Sequence, residues 1–85
     1  MNNGSDEHGK TPIWATSIAS TKPSGTTTEV QHAVILVIAE EEDEASRLAL
    51  AAAARMWTAE EGWNPPSASC IHIGVSLGEK GVYVP

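Results

Sequence analysis

The chain has 85 residues, of which 41% are hydrophobic, and a formal net charge of −6 from eleven carboxylates against five Lys and Arg. A chain this short forms one domain with a thin core, because it buries only about 60–65% of the surface its unfolded form exposes. The acidic balance argues against direct binding to nucleic acid or to an anionic membrane, which need a cationic footprint, and suits a cationic protein partner steered in by charge.

Met1 to Lys10 has no apolar residue after the initiator and no period. It reads as a mobile tail, not a signal peptide, leaving 11–85 as the single domain. Thr11 to Ser20 carries Ile13, Trp14 and Ile18 among Thr and Ser, a composition that predicts a strand. Thr21-Lys22-Pro23-Ser24-Gly25 predicts a turn. Val30 to Ala39 predicts the clearest strand, with His32, Val34, Leu36 and Ile38 on one face and Ala33, Ile35, Val37 and Ala39 on the other. Both faces are apolar, whereas a half-buried strand alternates with polar residues. This strand is therefore expected inside a sheet. Its second face should be covered by the N-terminal segment, another subunit or a target.

Glu40-Glu41-Glu42-Asp43-Glu44 precedes an Ala-rich stretch predicted to be helical to about Glu61. Carboxylates there favour the helix by about 0.3–1 kcal/mol each through the macrodipole, and Asp43 or a neighbour is the expected N-cap. Ala45, Leu48, Ala49, Ala52, Met56 and Ala59 form one apolar stripe, with Arg47, Ala51, Ala54, Thr58 and Glu61 opposite. Gly62 and Pro65-Pro66 stop the helix. Ser69 to Leu77 predicts a strand with Ile71, Ile73, Val75 and Leu77 as its core face and Cys70, His72, Gly74 and Ser76 opposite. Gly78-Glu79-Lys80-Gly81 reads as a hairpin loop into a short return strand, Val82-Tyr83-Val84. The order β-β-α-β-β predicts an α+β fold: a four-stranded, mostly antiparallel sheet with one helix packed on one face.

Signals for chemistry are sparse, and the chain is expected to be non-enzymatic, with no cofactor and no metal. The acid run has two readings: helix-start electrostatics on a solvated face, or a negative field offered to a partner. With Glu60, Glu61 and Glu79 it would imitate a line of phosphates if the fold brought them together. Cys70 and His72 share a strand face, with His32 available on a neighbouring strand. One Cys-x-His pair falls short of a zinc site or an activated nucleophile. As the only cysteine, Cys70 forms no intramolecular disulfide and fits a reducing cytoplasm. Gly78-x-x-Gly81 lacks the Gly-Lys-Ser/Thr ending of a phosphate loop. Leu50 and Trp57 flank the core stripe and are either an exposed apolar ridge or the edge of the core. Trp63 is expected to pack back beyond the helix end. Trp14 belongs either to the core or to the outer sheet face.

The short acidic chain, its Ala-rich helix from Glu44-Ala45 through Met56-Trp57, and the closing strands that end in Tyr83-Val84-Pro85 resemble small orphan proteins of phages and mobile elements. Among these the chain is similar in kind to anti-CRISPR inhibitors of type I systems. The resemblance spans about Val30 to Pro85 and carries no motif residue. It implies occupation of a cationic nucleic-acid-binding surface on a CRISPR effector complex, in a bacterial cytoplasm. The residues expected to meet the partner are Glu40, Glu41, Glu42, Asp43, Glu44, Leu50, Trp57 and Glu61. The alternative is a homo-oligomeric structural or assembly protein of a phage or mobile element, with the second sheet face paired across a homodimer.

Overall fold

The computed structural model describes residues 10–83. The predicted tail over 1–9 and the last two residues, Val84 and Pro85, lie outside the described residues. The elements in chain order are β1 (Thr11–Ser24), β2 (Thr27–Ile38), α1 (Glu42–Met56), a 3₁₀ turn (Ala59–Glu61), β3 (Ser67–Ser76) and β4 (Gly81–Tyr83). The four strands form one antiparallel sheet in the order β3-β1-β2-β4. One α-helix packs on one face, the α+β architecture expected from the sequence.

β1 and β2 form a long hairpin. The turn predicted over 21–25 shrinks to Gly25-Thr26, because Ser24 already pairs with Thr27. Gly25 has φ +64, which the first position of a type II′ turn requires and which glycine adopts without strain. Pro23 stays in the strand although it donates no hydrogen bond. The pairing of β1 with β3 ends at Ala19–Ser67, so one edge of β1 is open beside Pro23.

The second correction concerns β4. The sequence suggests a hairpin from β3, yet β4 pairs with β2 at Leu36, Val37 and Ile38, on the opposite edge of the sheet. Leu77 to Lys80 therefore crosses the ends of β1 and β2. On the way, Gly78 passes Ile38 so closely that a Cβ would lie 3.4 Å from its Cδ1. Four to five residues at about 3.3 Å each suffice to pass two strands about 4.8 Å apart.

The helix lies on the face formed by Trp14, Thr16, Ile18 and Ser20 of β1 and Ile35 and Val37 of β2. Ala45, Ala49 and Ala53 are completely buried and Ala52 nearly so. Ile18, Ile35, Val37 and Ala39 complete this cluster, and Trp14, Leu48, Trp57, Ala68, Cys70 and Val82 pack around it. Two polar residues inside are satisfied: Thr16 Oγ1 donates to Cys70 Sγ at 3.4 Å, and Ser20 Oγ donates to the Asn64 carbonyl at 2.7 Å.

α1 ends five residues before the predicted stop. Trp57 leaves helical geometry (φ −126, ψ 90) and turns onto the core, and Thr58 is extended. Met56, expected in the core stripe, is consequently 43% exposed, and Ala59 lies outside in the 3₁₀ turn. Gly62, at φ +99, closes that turn instead of the helix.

Alanine at the helix–sheet contact leaves no room for a larger side chain. Ala49→Leu should lower stability by about 1–3 kcal/mol through overpacking, whereas Ala51→Leu on the exposed side should be nearly neutral. Urea denaturation followed by circular dichroism measures both.

Candidate functional site

Two surface regions stand out once the fold is laid down: the strand-to-helix corner and the sheet face that α1 does not cover.

At the corner, Glu41 occupies the N-cap position in extended geometry and makes no side-chain cap. The expected capping by Asp43 is replaced by a carboxylate farther along: Glu44 Oε1 accepts the Glu40 backbone N–H at 2.9 Å. Its other oxygen meets Lys80 Nζ at 3.3 Å, tying the crossing loop to the helix start. The Glu40 N–H first, and then Lys80 and Arg47, hold the Glu44 carboxyl below the ordinary glutamate range. Glu40, Glu41, Glu42 and Asp43 are exposed, and among the described residues Glu44 alone of the five is in an ion pair.

The remaining predicted partner-binding residues lie elsewhere. Leu50 is half-buried, and Trp57 packs on the core with its ring 6.3 Å from Trp63, which itself lies under Lys22 Nζ at 5.4 Å. Glu61 accepts a hydrogen bond from Thr58 Oγ1 in the 3₁₀ turn. A helix of 15 residues is about 22 Å long, so Glu60 and Glu61 are held away from the corner. Glu79, beside Lys80, is at the corner end. The five-residue run and the two later glutamates therefore do not form one line of charge.

Trp14 lies on the helix side, where its Nε1–H donates to the Ala39 carbonyl at 3.0 Å and its ring sits 5.3 Å from that of His72. Cys70 shares that face, with Sγ 3.4 Å from the hydroxyls of both Thr16 and Ser46. His72 Nε2 is 2.9 Å from the Gly74 carbonyl. His32, expected near this pair, pairs with Ala19 on the other face. Among the described residues no group of three or more His, Cys, Asp or Glu is set to hold a metal ion, no pocket forms in the surface, and no helix is long and apolar enough to cross a membrane.

The uncovered sheet face overturns the expected orientation of β3. Cys70 points to the helix, while Ile71 (65%), Ile73 (55%), Val75 (56%) and Leu77 (75%) are exposed. Period-two alternation tells which residues share a face but not which face a helix will cover. Here the Thr16–Cys70 pairing and the Ser46 contact turn the small, polar side of β3 towards α1. A bulge between Ile13 and Trp14 then leaves Ile73 without a partner on β1 and resets the alternation, so Val75, exposed opposite Pro12, falls on the side of Trp14 and does not share a face with Ile71 as the sequence suggested. The register aligns Ile71, Ala15, Leu36 and Tyr83 in one row across all four strands. Ser69, Ser17 and Val34 form the next row, and Val30 stands beside Thr21 farther along the hairpin. None of these residues was singled out as a binding residue from sequence. The signal was present: β2 is apolar on both faces and β3 on one, and a single helix covers only one side of a sheet.

Compared with protein-family models, curated proteins and solved structures, the chain matches none of them.

Lowering of the Glu44 pKa on folding adds stability that is present above the ordinary glutamate pKa and lost as pH falls through the lowered value. Glu44→Gln should therefore flatten the loss of stability in that acidic window, which urea midpoints measured at a series of pH values will show.

Proposed function

We propose that this chain acts by binding another protein, without catalysis, and that its acidic corner occupies a cationic, nucleic-acid-binding surface of that partner. The observation that carries the reading is the exposure of Glu40, Glu41, Glu42 and Asp43, none of which is in an ion pair among the described residues. Only Glu44 is committed internally. Four exposed carboxylates outside any ion pair, at one corner of a chain of net charge −6, make a local negative field that accelerates encounter with a basic surface. Leu50 and Trp57, the apolar anchors expected from the sequence, stand apart from this corner, Trp57 at the far end of α1 about 20 Å away, and take no part in the reading. By its resemblance to type I anti-CRISPR inhibitors, the partner would be a CRISPR effector complex.

The homo-oligomeric assembly protein is the second reading, and the open apolar sheet face favours it. The two readings use different surfaces and are compatible.

Pull-down from bacterial lysate with mass spectrometry, comparing wild type with the Glu41→Lys/Glu42→Lys double substitution, tests the first reading. A basic nucleic-acid-binding protein should be retained by wild type, released by moderate salt and lost with the double substitution. Recovery indifferent to both changes would refute the charge-based mechanism.

A further inference from the structure

Among the described residues, five large apolar side chains stand exposed on the sheet face that the helix leaves uncovered. The large apolar side chains fully enclosed are Ile18, Ile35 and Val37. Val30, Val34, Leu36, Ile71 and Tyr83 stand on the opposite sheet face at 40–65% exposure. Contiguous apolar surface of that kind marks an interaction site.

We propose that this face is the interface of a homodimer, in which two copies pack their sheets against each other about a two-fold axis.

The chemistry of the face selects a second copy over other occupants. By the strand register, its positions are Ile13, Ala15, Ser17, Ala19 and Thr21 on β1, Val30 to Ile38 at every second residue on β2, Ser67, Ser69 and Ile71 on β3, and Tyr83 on β4. None is Asp, Glu, Lys or Arg, and His32, exposed beside Ala19, is the one basic side chain among them. A cationic partner would find no counter-charge there and would lose hydration without compensation. The segment before Lys10 has no apolar side chain after Met1, so it does not match the face either.

Shape points the same way. β1 presents small residues, Ala15, Ser17 and Ala19, while β2 beside it presents Val30, His32, Val34 and Leu36. The face is thus a furrow flanked by a ridge, with Ile71 as the far wall. A two-fold axis lays the β2 ridge of each copy into the β1 furrow of the other, the self-complementarity that an isologous interface needs. Stacked sheets sit about 10 Å apart, the depth of two interdigitated side-chain layers.

Size and charge permit the assembly. Four strands about 4.8 Å apart and roughly eight residues of about 3.3 Å give about 500 Å² of face per copy, so a dimer buries on the order of 1,000 Å². That meets the lower bound of a specific interface. The helices fall on the two outer sides of the sandwich, about 30 Å apart, well beyond a Debye length of about 8 Å. The charge carried by each helix start therefore does not oppose association.

Sedimentation velocity and light scattering between about 1 and 100 µM test the proposal on the full chain. Wild type should be dimeric at the upper end and dissociate on dilution. Val34→Glu, Ile71→Glu and Ser17→Arg each place a charge at an exposed position of the face. They should weaken association at least about tenfold while leaving the circular dichroism spectrum folded. Three separate sites keep the test decisive if one variant fails to fold. The Glu41→Lys/Glu42→Lys chain should dimerise as wild type does, so failure of the dimer and failure of the acidic-corner reading are distinguishable. A wild-type chain that remains monomeric across the range overturns the proposal, as does a dimer that none of the three face substitutions weakens.

Discussion

Four alanines of α1, at 45, 49, 52 and 53, set how near the helix lies to the sheet, and most other features follow from that spacing. A helix with methyl groups on its inner side approaches closely, and what it meets must be correspondingly small. It meets Thr16, Ala68 and Cys70 around the fully enclosed Ile18, Ile35 and Val37, while Ser20 is enclosed farther along β1 beside Asn64. The polar members of that set are tolerable because each hydroxyl has an acceptor, so burial costs little beyond the lost hydration. Bulkier residues of β2 and β3 are left for the opposite side.

The molecule thus divides its surface by chemistry. Charge collects at the end of the sheet where β2 passes into α1, and Lys80 draws only Glu44 into a pair there. Apolar surface collects on the sheet face that the helix leaves uncovered. One region acts at long range and weakens in salt; the other acts only on contact. The proposed contacts with a cationic target and with a second copy would therefore use separate surfaces and would not compete.

Much of this was legible in the residues. The two faces of Val30 to Ala39 divide as the alternation says, with Ile35 and Val37 inside. The β-β-α-β-β order also follows directly from period and turn chemistry, and so does the stripe at Ala45, Ala49 and Ala52, although the buried Ala53 was not in it and Met56 and Ala59 fall outside. Three features do not follow in this way. Local pattern placed β4 beside β3 because a glycine-bounded loop of four residues suits a hairpin, but the same length also crosses two strand ends. The face of β3 depended on which side the helix chose, a tertiary decision that no period encodes. The helix end depended on Trp57 finding the core, which outweighs the good helix propensity of Ala59 to Glu61. At the candidate site, the acid run was readable as charge, whereas the open face became visible only when the four strands were put in register.

The placement of β1 has a consequence for synthesis. It lies inside the sheet between β2, which follows it at once, and β3, which is made only after the helix. β2 follows at once across a two-residue turn, so the hairpin can close on the ribosome before any helix exists to cover it. During that interval both faces of Val34 to Ile38 are bare. Polysomes carrying several nascent chains would bring such hairpins together, making co-translational pairing a natural route to assembly and a chaperone the natural safeguard against mispairing.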